Sequence, residues 1–141
     1  MSPWARHSAP VIAAKGFALW LVLLALAVAN GALREFVLAP ALGATTALVL
    51  SGIVLSLAAL ATAYAALPWF GRLPTARYVA IGIGWLGLTL LFEFAFGRLG
   101  QDKSWTELFD AYTFAGGNPW LVVILVIGAA PFVAAKLRRW A

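Results

Sequence analysis

Residues 11–30, 41–67, 78–97 and 119–135 are four runs in which apolar side chains follow one another with almost no charge. A helix needs about 20 such residues to cross the hydrocarbon of a bilayer, and each run predicts one span. The first contains Lys15, and its uninterrupted part, 16–29, is 14 residues long. It reaches full length when Lys15 snorkels to the interface. The second carries no charge; Pro40 fits the first turn of its helix and Pro68 its stop. The third holds one charge, Glu93. The fourth opens on Asn118-Pro119, a helix-capping residue followed by proline at the first helical position. Pro131 is expected to kink its last turn. Arg6, Lys15, the apolar run and Ala27-Val28-Ala29 also fit a cleavable signal peptide. The reading adopted is a retained span, and cleavage would leave the other three spans unchanged.

The connections differ. Residues 31–39 form a link containing Arg34-Glu35, and 68–77 form a short turn. Residues 98–117 are the longest connection and hold most of the polar chemistry. Within them, Ser104-Trp105-Thr106-Glu107 matches a capping box, with Ser104 at the N-cap and Glu107 three residues on. Trp105, Leu108, Phe109 and Tyr112 then share one apolar helical face. A short helix lying flat on the membrane surface is predicted there. Trp105, Leu108, Phe109 and Tyr112 would act as its interfacial anchor, or the helix would lid a cavity.

Composition sharpens this picture. Apolar residues make up 64% of the 141-residue chain and charged residues 11%, against about 45–50% and 25% in soluble domains. Mean hydropathy is +0.95. A soluble domain, a disordered chain, a coiled coil and a disulfide scaffold are all excluded. The fold class is an all-α integral membrane protein: one four-transmembrane-helix bundle over residues 1–141, with a short interfacial helix in the outer loop.

Charge sets the threading. With the N-terminus inside, one side carries Arg6, Lys15, Arg72, Arg77, Lys136, Arg138 and Arg139, and the other Arg34, Arg98 and Lys103. All five acids, Glu35, Glu93, Asp102, Glu107 and Asp110, fall on or near the second side. The positive-inside rule then puts both termini in the cytoplasm. The net charge of +5 is a topology signal with contact to anionic lipid heads. No basic stripe remains for nucleic acid.

Candidate chemistry is sparse. Gly82-Ile83-Gly84-Trp85-Leu86-Gly87 matches the dinucleotide pattern G-x-G-x-x-G. That pattern needs a βαβ context, and here it lies inside a span. The small residues are read instead as close helix packing, together with Ser51, Gly52, Ser56, Ala59 and Ala63 of the second span. Glu93 lies 16 residues past Arg77, about 24 Å along a helix, in the outer part of the third span. Ionisable residues inside spans are costly and face the bundle or water. Two readings stay open: a carboxylate that binds a cation or exchanges a proton, or a structural group held by an ion pair with Arg34 or Arg98 or by hydrogen bonds to another helix. With Arg34, Glu35, Arg98, Asp102, Asp110, Tyr112 and Asn118, Glu93 defines an outer-side polar cluster. The alternative is that these are solvated loop ends. Cysteine is absent and the single histidine is His7, so no catalytic triad or in-span haem ligand is expected and an enzyme is not favoured. Two carboxylates could still share a metal, although no D-x-x-x-D or E-x-x-H spacing occurs. No cofactor is expected.

Arg34-Glu35-Phe36, Phe92-Glu93-Phe94 and Ser104-Trp105 resemble segments of small bacterial inner-membrane proteins, which implies that location. Small multidrug-resistance transporters place their working glutamate in the first span, whereas Glu93 lies in the third. The Asn, Phe and Ser/Thr patterns of fluoride channels are not found. Four short spans leave little room for a private pathway, so a homo-oligomer or a larger membrane partner is expected. The leading expectation is a small protein that binds or moves a cationic or proton-coupled solute at Glu93, with Arg34 tuning it. The alternatives are a non-catalytic accessory subunit and a lipid-headgroup binder using Arg34 and Arg98.

Overall fold

In the computed structural model the apolar runs are helices. It describes residues 8–100, 102–110, 113 and 119–140, with the side chain of Asp110 outside that set. Four helices are long and apolar enough to cross a membrane: α1 (Ala9–Leu42), α2 (Ala44–Phe70), α3 (Thr75–Gly100) and α5 (Trp120–Leu137). A short helix, α4 (Trp105–Asp110), lies between α3 and α5. No strand occurs among the described residues. The chain is an all-α four-helix membrane bundle.

The link expected at 31–39 is helical. α1 runs on through a π turn at Arg34–Leu38 and one further turn, Ala39–Leu42. Pro40 therefore starts the last turn of α1 rather than the first turn of α2. It sits just past the π turn, where the helical bonds have already shifted register. The reversal is made by Gly43 alone, at φ 89°, a backbone conformation that costs glycine little and other residues much. α2 also outruns its expected stop. Pro68 lies inside its last turn, and Gly71 at φ 82° ends it. The turn into α3 is fixed by Tyr78, which is fully buried. Its hydroxyl accepts the Leu73 N–H at 3.0 Å and donates to the Gly71 carbonyl at 3.2 Å. Pro119 occupies the N-cap of α5; Asn118, the expected cap, is outside the described residues.

α1 and α2 form an antiparallel hairpin, and α1 and α3 run parallel. α5 packs closely on both α2 and α3, while α1 and α3 touch only lightly. The tightest point is the crossing of α3 and α5 at Gly82. A Cβ there would lie 1.9 Å from the Gly128 carbonyl oxygen. This is the close backbone approach that small residues permit in lipid. Ala59, Ala130 and Ala134 are fully buried nearby, with Trp85 and Ile127. The outward faces are apolar too: Ile83, Leu57 and Leu125 are more than half exposed, as suits helices whose surroundings are lipid.

The two ends of the bundle differ in charge. At the end holding the first turns of α1 and α3, Lys15 donates to the Trp69 carbonyl at 2.9 Å and lies over the Trp69 ring. Arg138 donates to the Tyr64 carbonyl at 2.8 Å and stacks 4.1 Å from that ring. Arg72 covers Trp140. These long stems reach from apolar surface to a polar end, as the snorkelling of Lys15 requires. This is the basic end. The acidic residues lie at the other.

Candidate functional site

Two π turns mark the acidic end, Arg34–Leu38 in α1 and Phe96–Gly100 in α3. Such turns are uncommon and cluster at functional sites. Between them lies a cavity of about 310 Å³, bounded by α1, α2, α3 and α5. Its deep part is apolar, built from Trp20, Leu23, Leu55, Val123 and Ile127. Its mouth is polar, with Asn30, Arg34, Glu35, Ser51, Glu93 and Lys103.

The polar lining is partly locked. Ser51, buried on α2, donates its hydroxyl to the Asn30 side-chain oxygen. Asn30 returns a hydrogen bond from its amide nitrogen to the Ser51 carbonyl at 3.1 Å. The Arg34 guanidinium donates to the Ser51 hydroxyl at 3.5 Å. One serine thus holds the end of α1 to α2 and gives Arg34 its direction. On the opposite wall, Thr89 donates to the Trp85 carbonyl at 2.7 Å and accepts the Trp20 indole N–H at 3.0 Å. Trp85 in turn donates to the Gly16 carbonyl at 2.9 Å. Trp20 packs edge-on against Phe92, and Phe92 stacks on Phe96, so an aromatic wall leads up to Glu93.

Glu93 is half-buried. Among the described residues its carboxylate makes no hydrogen bond and no ion pair. The two cations nearest to it electrically are Lys103 and Arg34. Glu35 is exposed at the rim. The lining therefore balances two carboxylates against two cations, with no direct contact between them.

Of the sequence-predicted cluster, Glu93, Arg34 and Glu35 come together around one cavity. Arg98 does not line it. Its guanidinium donates to the Lys103 carbonyl at 3.0 Å and lies 5.0 Å from the Trp105 ring. Asp102 does not line it either. It is exposed at φ 58°, a left-handed conformation that aspartate tolerates better than most residues. That turn lets the Lys103 amide bond the Gly97 carbonyl at 2.8 Å. Arg98 and Asp102 thus shape the loop that delivers Lys103. Asp110, by its side chain, and Tyr112 lie outside the described residues.

The capping box is present. The Glu107 amide donates to Ser104 Oγ at 3.2 Å, and the Ser104 amide donates to Glu107 Oε1 at 3.4 Å. The anchor residues divide. Leu108 is buried against Gly97, while Trp105 and Phe109 are more than half exposed and border Phe94. Lys103, Asn30, Ser51 and Thr89 are site residues that the sequence reading did not assign. Thr89 alone had a signal, four residues before Glu93 on the same helical face. No family model matches the chain, and neither a curated protein nor a solved structure is significantly similar to it.

Proposed function

We propose that this multi-pass membrane protein binds, and as an oligomer passes, a small cationic or proton-coupled solute through the cavity at its acidic end. The observation that carries this reading is Glu93, a cavity-lining carboxylate with no direct partner among the described residues. The arginines that would have made it a structural ion pair are engaged elsewhere, Arg34 with Ser51 and Arg98 with the Lys103 carbonyl. A carboxylate inside a span that is not consumed by structure is available to a ligand. Phe92, Phe96 and Trp20 add ring faces that favour a cation. Lys103 and Arg34 restore neutrality when the solute leaves. No bond is made or broken in this scheme. The acidic end faces outward, both termini lie in the cytoplasm, and the membrane is the bacterial inner membrane.

The test is Glu93→Gln in liposomes. Proton flux is read with an entrapped pH dye, with and without gradients of potassium, ammonium or tetramethylammonium ions. The wild-type chain should give a cation-dependent proton flux, and the variant should give none while keeping its fold and oligomeric state. A folded Glu93→Gln protein with the wild-type flux would refute the proposal.

A further inference from the structure

A second opening lies at the basic end, between α1 and α3. It exists because Ala13, Gly16, Ala80 and Gly84 place almost no side chain along that seam. Its volume is about 450 Å³, and its walls are apolar, with Trp85 as floor. Arg77 is the one charged residue on its lining among the described residues. From Arg77 to Leu88, at 1.5 Å per residue, the groove runs about 16 Å. That is roughly half of the ~30 Å hydrocarbon thickness, the depth of one leaflet. Arg77 marks the head-group end of that leaflet. Its neighbours Lys15, Arg72 and Arg138 lie on aromatic rings. The Arg77 side chain has no hydrogen bond, ion pair or ring contact among the described residues.

We infer that this groove holds one acyl chain of an anionic phospholipid, whose phosphate is bound by Arg77. The match is threefold: an apolar slot, a length of one leaflet, and, on the slot's own lining, an arginine side chain without a partner among the described residues. The guanidinium pairs with a phosphate through two parallel hydrogen bonds. The site is separate from the acidic-end cavity and stands whether or not that cavity carries a solute.

The protein, purified in mild detergent, is titrated with phosphatidylglycerol and phosphatidylcholine of identical acyl chains. Bound lipid is counted by native mass spectrometry. Gly84→Leu fills the groove, and its Cβ meets nothing within 4 Å, so the bundle is not disturbed. Gly87→Leu is the matched control, since its Cβ is equally free and it lies outside the groove. Wild type and Gly87→Leu should retain one phosphatidylglycerol per chain, and Gly84→Leu should lose it. Arg77→Gln should keep lipid but lose about fivefold of the preference for phosphatidylglycerol, the size expected for one cation near the head groups. Unchanged lipid retention in Gly84→Leu, or an unchanged preference in Arg77→Gln, overturns the inference. So does a Gly84→Leu protein that loses self-association while keeping its lipid, because a second copy would then be the occupant.

Discussion

Adding one methyl group at Gly82 should be among the most damaging small changes this bundle can suffer. A Cβ at Gly82 would sit 1.9 Å from the Gly128 carbonyl oxygen and 3.0 Å from its carbon. Both are backbone atoms, so no rotamer change relieves the clash. α3 and α5 have to part by about 1 Å, and a gap of that size forfeits a quarter to a half of each dispersion contact along the seam. The seam includes Trp85, Ile127, Ala130 and Ala134, all buried. Overpacking a close-packed interior costs about 1–3 kcal/mol and occasionally more. The backbone clash puts Gly82→Ala at the upper end, about 3 kcal/mol. The crossing is asymmetric. A Cβ at Gly128 meets Leu86 at 3.4 Å and the Gly82 carbonyl oxygen at 3.7 Å, ordinary contacts. Gly128→Ala should therefore cost less than ~1 kcal/mol. Gly84→Ala, two residues from Gly82 with nothing within 4 Å of its Cβ, should be neutral or gain up to about 1 kcal/mol of helix propensity. The assay is reversible unfolding in mixed micelles of increasing dodecyl sulfate fraction, followed by tryptophan fluorescence. If Gly82→Ala is tolerated as well as Gly84→Ala, close backbone packing is not what the glycine-rich stretch supplies.

Two further outcomes are expected. Ser51→Ala removes the hydroxyl shared by Asn30 and Arg34, and interhelical hydrogen bonds in membranes are worth about 0.6 kcal/mol and at most ~1.7. The same unfolding assay should register a loss of about 1 kcal/mol, and no loss would mean that Asn30 and Arg34 find equal partners without it. Ser104 and Thr75 are both exposed, at opposite ends of the bundle. Ser104→Cys should react with an impermeant maleimide on intact cells and Thr75→Cys only after lysis; the reverse pattern would invert the proposed orientation.

The spans were legible because a membrane imposes a length on apolar runs that no other environment does. What lay between them was less so. Asn30-Gly31 and Pro40 weaken or break helices in water, the Arg34-Glu35 charges end the apolar run, and together they read as a link. In the bundle α1 runs through Gly31, takes Arg34 and Glu35 into a π turn, and carries on past Pro40 to Gly43. That continuation raises Arg34 to the wall of the cavity. Glu93, Arg34 and Glu35 could be singled out because charge inside or beside an apolar run is conspicuous. Ser51 could not. Its sequence neighbourhood is that of a packing residue, and only the pairing of α1 with α2 sets it against Asn30. Lys103 read as one more loop charge, since the turn at Asp102 that brings it over the cavity is a matter of backbone conformation. Arg98 and Asp102 were grouped with the site for their charge, yet their interactions are local, with a carbonyl, a ring and a bend.

The hydrogen-bonded chain from Trp20 through Thr89 and Trp85 to Gly16 also has a mechanical side. Trp20 and Thr89 border the acidic-end cavity, while Trp85 and Gly16 border the basic-end groove. The two indoles are thus the partition between the two openings. They also pin α1 to α3, along a seam looser than those α5 makes with α2 and α3. Loss of either indole would therefore breach the wall between the two openings as well as loosen α1 from α3.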